Sequence, residues 1–296
     1  MANIFTGTLE ISHDPIALWE SYAITLPPQE FLHSPSYIDV EGSERAEDGF
    51  WRLKTRIDGP EKFIEEMFSN GLGRHVEARD PDGGEPIWEG KLFKVTMDYG
   101  AETISKDLTD VFNALWIRYR ITGSTTTARS IVYPNAASIA RYGRKEKVLN
   151  IGEIPHAGVA DQCAQIFLDM IQTPKPFPEH REGQKMHSPF VTIEARGYSE
   201  CWGWQMYNQT INTGTYTTSE LIEDVVSSKC AYVKSYKIDA NSTSVQEELD
   251  NDRDAGDLIR SCAKMGDPSG NRWLARMEAG MAFRFKSAAP ATLPPT

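Results

Sequence analysis

From Phe93 to Tyr99 the chain alternates without a break: Phe93, Val95, Met97 and Tyr99 are apolar, Lys94, Thr96 and Asp98 polar. A period of two is the repeat of a strand with one buried and one solvated face, and it cannot serve a helix. The pattern recurs. Phe5, Leu9 and Ile11 alternate with Thr6, Thr8 and Glu10, and Ile117, Tyr119 and Ile121 with Arg118 and Arg120. Val191, Ile193 and Ala195 alternate with Thr192, Glu194 and Arg196, and further strands are expected at Tyr37–Val40, Phe50–Ile57 and Tyr232–Ile238. Half-solvated strands of this kind belong to antiparallel sheets.

Between the strands the period shifts to that of helices. Gly59-Pro60 opens one, with Phe63, Ile64, Met67 and Phe68 on one face and Gly71 and Gly73 at its end. Leu108, Val111, Phe112 and Leu115 have helical spacing and predict a second, buried against a sheet. A short helix is expected from Pro134 to Tyr142, stopped by Gly143. A longer one is expected from about Pro155, with Val159, Cys163, Ile166, Phe167 and Met170 on one apolar face. Thr217-Thr218-Ser219-Glu220 reads as a capping box ahead of Leu221, Ile222, Val225 and Val226. Asp254–Met265 predicts a last helix, with Leu258, Ile259 and Cys262 inward.

Gly197 and Tyr198 should turn the chain into a return strand through Trp202, Trp204 and Met206. Breaks are expected at Pro27-Pro28 and Asp80-Pro81-Asp82-Gly83-Gly84. Pro174, Pro176 and Pro178 make residues 173–189 the expected domain boundary. The class is α+β and β-rich. Three regions are expected: a β-rich domain over 1–125, a helical and linker region over 126–189, and a second β-rich domain over 190–296. The last would end in an extended Pro-rich arm, anchored by Leu293 on a neighbouring subunit.

Composition excludes several classes. With a mean hydropathy of −0.45 and no apolar run near the roughly 18 residues a span needs, no membrane-crossing segment is expected. The start, Met1-Ala2-Asn3-Ile4-Phe5, does not read as a signal peptide. A net charge of −11 opposes sequence-specific nucleic-acid binding, which needs a basic patch. Cys163, Cys201, Cys230 and Cys262 contain no C-x-x-C pair, so buried free thiols are expected.

Chemistry-bearing motifs fail one by one. Gly71-Leu72-Gly73-Arg74-His75-Val76 lacks the third glycine of a dinucleotide loop and follows a helix instead of opening one. Gly197-Tyr198-Ser199-Glu200-Cys201 lacks the second glycine of a nucleophile elbow. Asp250-Asn251-Asp252-Arg253-Asp254 lacks the glycine and closing glutamate of a calcium loop, because Ala255 and Ser261 stand there. His13, His33, His75, His156, His180 and His187 form no metal-binding pair and read as solvated. Catalytic, cofactor-binding and metal residues are all expected to be none, and the chain is not expected to be an enzyme.

Two stretches carry a resemblance. Trp88-Glu89-Gly90-Lys91-Leu92-Phe93, followed by Ser105-Lys106-Asp107-Leu108-Thr109-Asp110 through Asn113, Leu115 and Tyr119, resembles a run found in tail proteins of long-tailed phages. Ala137-Ser138-Ile139-Ala140-Arg141-Tyr142-Gly143-Arg144-Lys145-Glu146 follows it, as in those proteins. Thr218 to Val226 is similar to their helix after a Trp-rich strand. The family is the baseplate-hub or tail-tip class. The resemblance implies two tail-tube-like β-barrel or sandwich modules with amphipathic helices packed on them. It also implies a structural virion protein that forms a ring around the DNA and tape-measure channel, a trimer being favoured and a hexamer the alternative. Implied partners are tail-tube, distal-tail, tape-measure and fibre proteins, with synthesis in the host bacterial cytoplasm and no cofactor. A receptor-binding or capsid-decorating virion protein, or a carboxylate-dependent hydrolase, is the alternative.

Overall fold

The computed structural model describes residues 3–4, 8–15, 36–79, 86–208, 216–245 and 252–288. The expected breaks at Pro27-Pro28 and Asp80–Gly84, together with Leu293, lie outside them. The protein is α+β and mostly strand.

Strands β1 (Asn3–Ile4), β2 (Thr8–Pro15), β3 (Ser36–Arg45) and β4 (Gly49–Asp58) precede helix α1 (Glu61–Asn70). Strands β5 (Arg74–Arg79), β6 (Pro86–Asp98) and β7 (Glu102–Asp107) follow. The middle of the chain holds β8 (Ala114–Ile121), β9 (Thr127–Arg129), β10 (Tyr133–Pro134), α2 (Ala136–Tyr142), β11 (Glu146–Ile154) and α3 (Ala157–Ile171). Then come β12 (Phe177–His180), β13 (Phe190–Arg196), a 3-10 helix (Tyr198–Trp204) and β14 (Met206–Tyr207). The last elements are α4 (Thr218–Lys229), β15 (Ser235–Ile238), β16 (Arg253–Asp254), α5 (Ala255–Met265), β17 (Trp273–Glu278) and β18 (Ala282–Ser287).

β4 sets the inner face of the main sheet. Leu53, Thr55 and Ile57 point inward while Arg52, Lys54 and Arg56 alternate outward. β13 lies between β4 and β6, antiparallel to both, with Ile193 opposite Thr55 on one side and Val95 on the other. β6 is long enough to pair twice along its far edge: residues 86–91 take β5 and residues 94–98 take β7. Beyond β4 lies β3, which pairs with β1; beyond β5 lies β2. Both ends of this row therefore meet the N-terminal strands.

Residues on either side of 173–189 share this one sheet and one core, which runs from Leu9 to Phe285. The first strand of the expected second domain is seated at the centre of the first. The proline stretch itself contributes β12, paired with β7. α1, α4, α5 and the 3-10 helix cover the core. Among the described residues β17, β18 and β15 extend the sheet from Gly49, whose partner is Met277.

A second, smaller unit builds on β8, which pairs with β9 and β10 on one edge and with β11, in parallel, on the other. Its core is Leu115, Ile117, Tyr119 and Ile154 under Ala160, Ala164 and Leu168 of α3. The face of α3 that packs is only in part the expected one: Val159 lies against this core, but Ile166, Phe167 and Met170 do not. Ala160, Ala164 and Leu168 are inward, whereas Ile166 and Met170 are 60% and 52% exposed. Two alanines one turn apart let the helix approach the sheet closely, and the bulkier stripe is left outside.

Two more expectations are corrected. Residues 108–113 are not helical. Asp107 accepts a hydrogen bond from the Thr109 N–H at 2.8 Å, a local turn that competes with a helix. Leu108 and Val111 are still buried in the main core, while Leu115 belongs to β8 and the smaller one. Trp202 and Trp204 lie in the 3-10 helix and not in a return strand. Gly197 redirects the chain there: a Cβ on it would lie 1.7 Å from the Phe50 carbonyl oxygen, so only glycine permits this approach.

Candidate functional site

The main core contains a buried row of charged residues. β5 and β6 pair with His75 opposite Lys91 and Glu77 opposite Glu89, so four polar side chains share one face of two adjacent strands. All four are buried, His75 to 3% exposure. This overturns the expectation of a solvated side chain for His75; among the described residues His156, His180 and His187 are exposed, as expected.

Each member is held. His75 Nε2 lies 2.7 Å from Glu77 Oε1 and 3.9 Å from Glu89 Oε1, and its Nδ1 lies 2.7 Å from the Tyr198 hydroxyl. Arg79 donates to Glu77 Oε2. The backbone N–H groups of Gly280 and Met281 donate to Glu89 Oε2 at 2.8 and 3.2 Å. Lys91 donates to the Tyr142 carbonyl at 2.9 Å and to the Tyr232 hydroxyl. Tyr198 and Tyr232 stack at 5.3 Å, which joins the His75 and Lys91 ends into one network.

Burial dominates the electrostatics. It pushes the Lys91 ammonium down to about 7 and the Cys201 thiol up to about 12. Burial also raises Glu89, and the attraction of His75 only partly offsets it. Burial acts on Glu77 in the same sense, but the hydrogen bond and charge of His75, with Arg79, outweigh it and hold this carboxyl below the ordinary range. A second buried lysine, Lys145, donates to the carbonyls of Leu108 and Thr109 and is pushed down to about 8 by burial.

Two grooves among the described residues, of about 440 and 280 Å³, share no lining residue with the cluster. The larger runs from Lys106 and Asp110 to Met170 and Phe177. The smaller lies on the outer sheet face, where Arg52, Lys54, Lys94 and Arg181 face Asp98, Glu179 and Glu194. That face is of mixed charge, although the chain as a whole is acidic.

The motifs set aside in the sequence take the following places. Ser199 is buried in the 3-10 helix, two residues from Cys201, whose thiol burial holds protonated. Asp252 pairs with Arg118 and Arg129, and Asp254 caps α5 by accepting from the Asp257 N–H. His156 stands at the start of α3 without a side-chain cap bond. The four cysteines are free, three of them buried.

The exposed apolar stripe of α3 is the other candidate. Ile166, Phe167 and Met170 form it, and Phe177, 70% exposed, lies across the larger groove. Beside the helix, β11 pairs only with β8 among the described residues. No helix among the described residues is long and apolar enough to cross a membrane. Comparison with known proteins gives no matching family model and no significant match to a curated protein or a solved structure.

Proposed function

We propose that this chain is a structural subunit of a phage tail, part of the hub or tail-tip ring around the channel for DNA and tape measure. The reading rests on the resemblance of residues 88–119, 137–146 and 218–226 to tail proteins. The observation that carries it furthest is the strand circuit. β1 on β3 and β2 on β5 bring the N-terminal strands against both ends of the row β5-β6-β13-β4-β3, which is the pairing that closing a sheet into a barrel requires. Such a barrel is the tube-like module of this proposal.

Assembly uses the smaller unit. The stripe of Ile166, Phe167 and Met170 and the outer edge of β11 supply an apolar patch and a pairing edge for a neighbouring subunit. Because the described residues on both sides of 173–189 share one sheet, we favour six copies over the trimer; a pseudo-sixfold ring of three needs two tube-like modules in each chain. Tail-tube, distal-tail, tape-measure and fibre proteins are the proposed neighbours. Sedimentation velocity tests the reading. The wild-type protein is expected to form a closed oligomer that Met170→Glu dissociates, and a monomer at every concentration overturns it.

A further inference from the structure

We propose that His75, Glu77 and Glu89 bind one divalent transition-metal ion, of the zinc, iron or manganese class, inside the main core. The case rests on how the three side chains are held. His75 Nε2 and one oxygen of each carboxylate all lie within 4.8 Å of one another. The remote atom of each side chain is already anchored. His75 Nδ1 meets Tyr198, Glu77 Oε2 accepts from Arg79, and Glu89 Oε2 accepts from Gly280 and Met281. Outer partners of this kind orient metal ligands and fix the tautomer of a ligating imidazole. With Nδ1–H donating to Tyr198, Nε2 presents its lone pair to the ion.

Spacing and charge agree. A tetrahedral ion with bonds of about 2.0 Å sets its ligand atoms about 3.3 Å apart. The observed separations from Nε2, 2.7 and 3.9 Å, bracket that value. Glu77 and Glu89 stand directly opposite on paired strands, a like-charge pair that costs stability unless a cation lies between them. One imidazole with two carboxylates suits zinc, iron or manganese; calcium and magnesium prefer all-oxygen shells with several waters. The Nε2···Glu77 hydrogen bond gives way to Nε2–metal and Oε1–metal bonds; the imidazole binds as its neutral Nδ1–H tautomer, and any proton held beyond that one leaves to solvent. Through Glu89 the ion ties the β5–β6 pair to the turn between β17 and β18. The proposal does not depend on ring assembly.

The test uses the full chain, stripped with EDTA and titrated with Co²⁺ alone as a coloured probe. Wild type is expected to take up about one ion per chain, with ligand-field absorption and a raised melting temperature. Glu89→Gln is expected to lose both, while His180→Gln retains them. Folded wild type that binds no ion, or a folded Glu89→Gln that binds unchanged, overturns the proposal. If Glu89→Gln fails to fold, anomalous diffraction from Co²⁺-soaked wild-type crystals decides. A peak between His75 Nε2 and the two carboxylates is expected; a peak only elsewhere, or none, overturns it.

Discussion

Lys91→Met should make the protein more stable at pH 6 and less stable in alkali. The buried ammonium of Lys91 is pushed from 10.5 down to about 7. In the unfolded chain it returns to its ordinary value, so between pH 7 and 10.5 the unfolded state binds the extra proton. Wild-type stability therefore rises with pH across that window through this group. At about 1.4 kcal/mol per pKa unit, the cost of the buried charge is about 5 kcal/mol at pH 6 and about 1 kcal/mol at pH 9.5. Methionine fills similar volume without a charge. It loses the bonds to the Tyr142 carbonyl and the Tyr232 hydroxyl, worth roughly 1–3 kcal/mol together. The Tyr232 hydroxyl still donates to the Tyr142 carbonyl at 3.3 Å, so neither group is stranded. The variant should gain about 2–4 kcal/mol at pH 6, and lose that gain or fall below wild type at pH 9.5. Urea denaturation of both proteins in metal-free buffer from pH 6 to 9.5 measures the difference. A difference constant with pH would mean that Lys91 is not charged and desolvated as argued.

Phe283→Ala, which removes a fully buried ring set edge-on to Trp202 at 5.3 Å, should cost about 3–5 kcal/mol in denaturant unfolding. On α3 the two stripes should behave oppositely: Ala164→Leu should destabilise by about 1–3 kcal/mol through overpacking, while Ile166→Glu should change stability by no more than about 0.5 kcal/mol and weaken self-association. Thr217 closes a capping box with Glu220 at the start of α4, and Thr217→Ala should lower stability by about 1 kcal/mol, read from the shift in denaturation midpoint.

What the sequence made legible was local. The alternation at residues 50–57, 93–98 and 191–195 matches β4, β6 and β13 because each has one wet face. The capping box, α2 with its stop at Gly143, and α5 were readable from short-range signals. The helix of residues 157–171 was readable too, but not its inner face. Its sequence carries two apolar stripes, and hydrophobicity alone favours Ile166, Phe167 and Met170 over the alanines that fit against β8. Spacing misled at Leu108–Leu115, where a turn at Asp107 and strand β8 divide one apparent helical face between two cores. The buried polar row was illegible for another reason. His75 and Glu77 two apart, and Glu89 and Lys91 two apart, are ordinary strand spacings. Only the pairing of β5 with β6 sets them face to face, and only the 3-10 helix brings Tyr198 over them. β13 pairs with β6 across 92 to 105 residues and with β4 across 134 to 144, which left no local trace, so residues 173–189 read as a boundary between two sheets.

Negative-stain electron microscopy of the purified full-length protein at assembling concentrations addresses the central claim most directly. The account predicts closed rings with a central channel, sixfold in class averages, that disappear with Met170→Glu. Fields containing only single subunits, with wild type and variant indistinguishable, would contradict it.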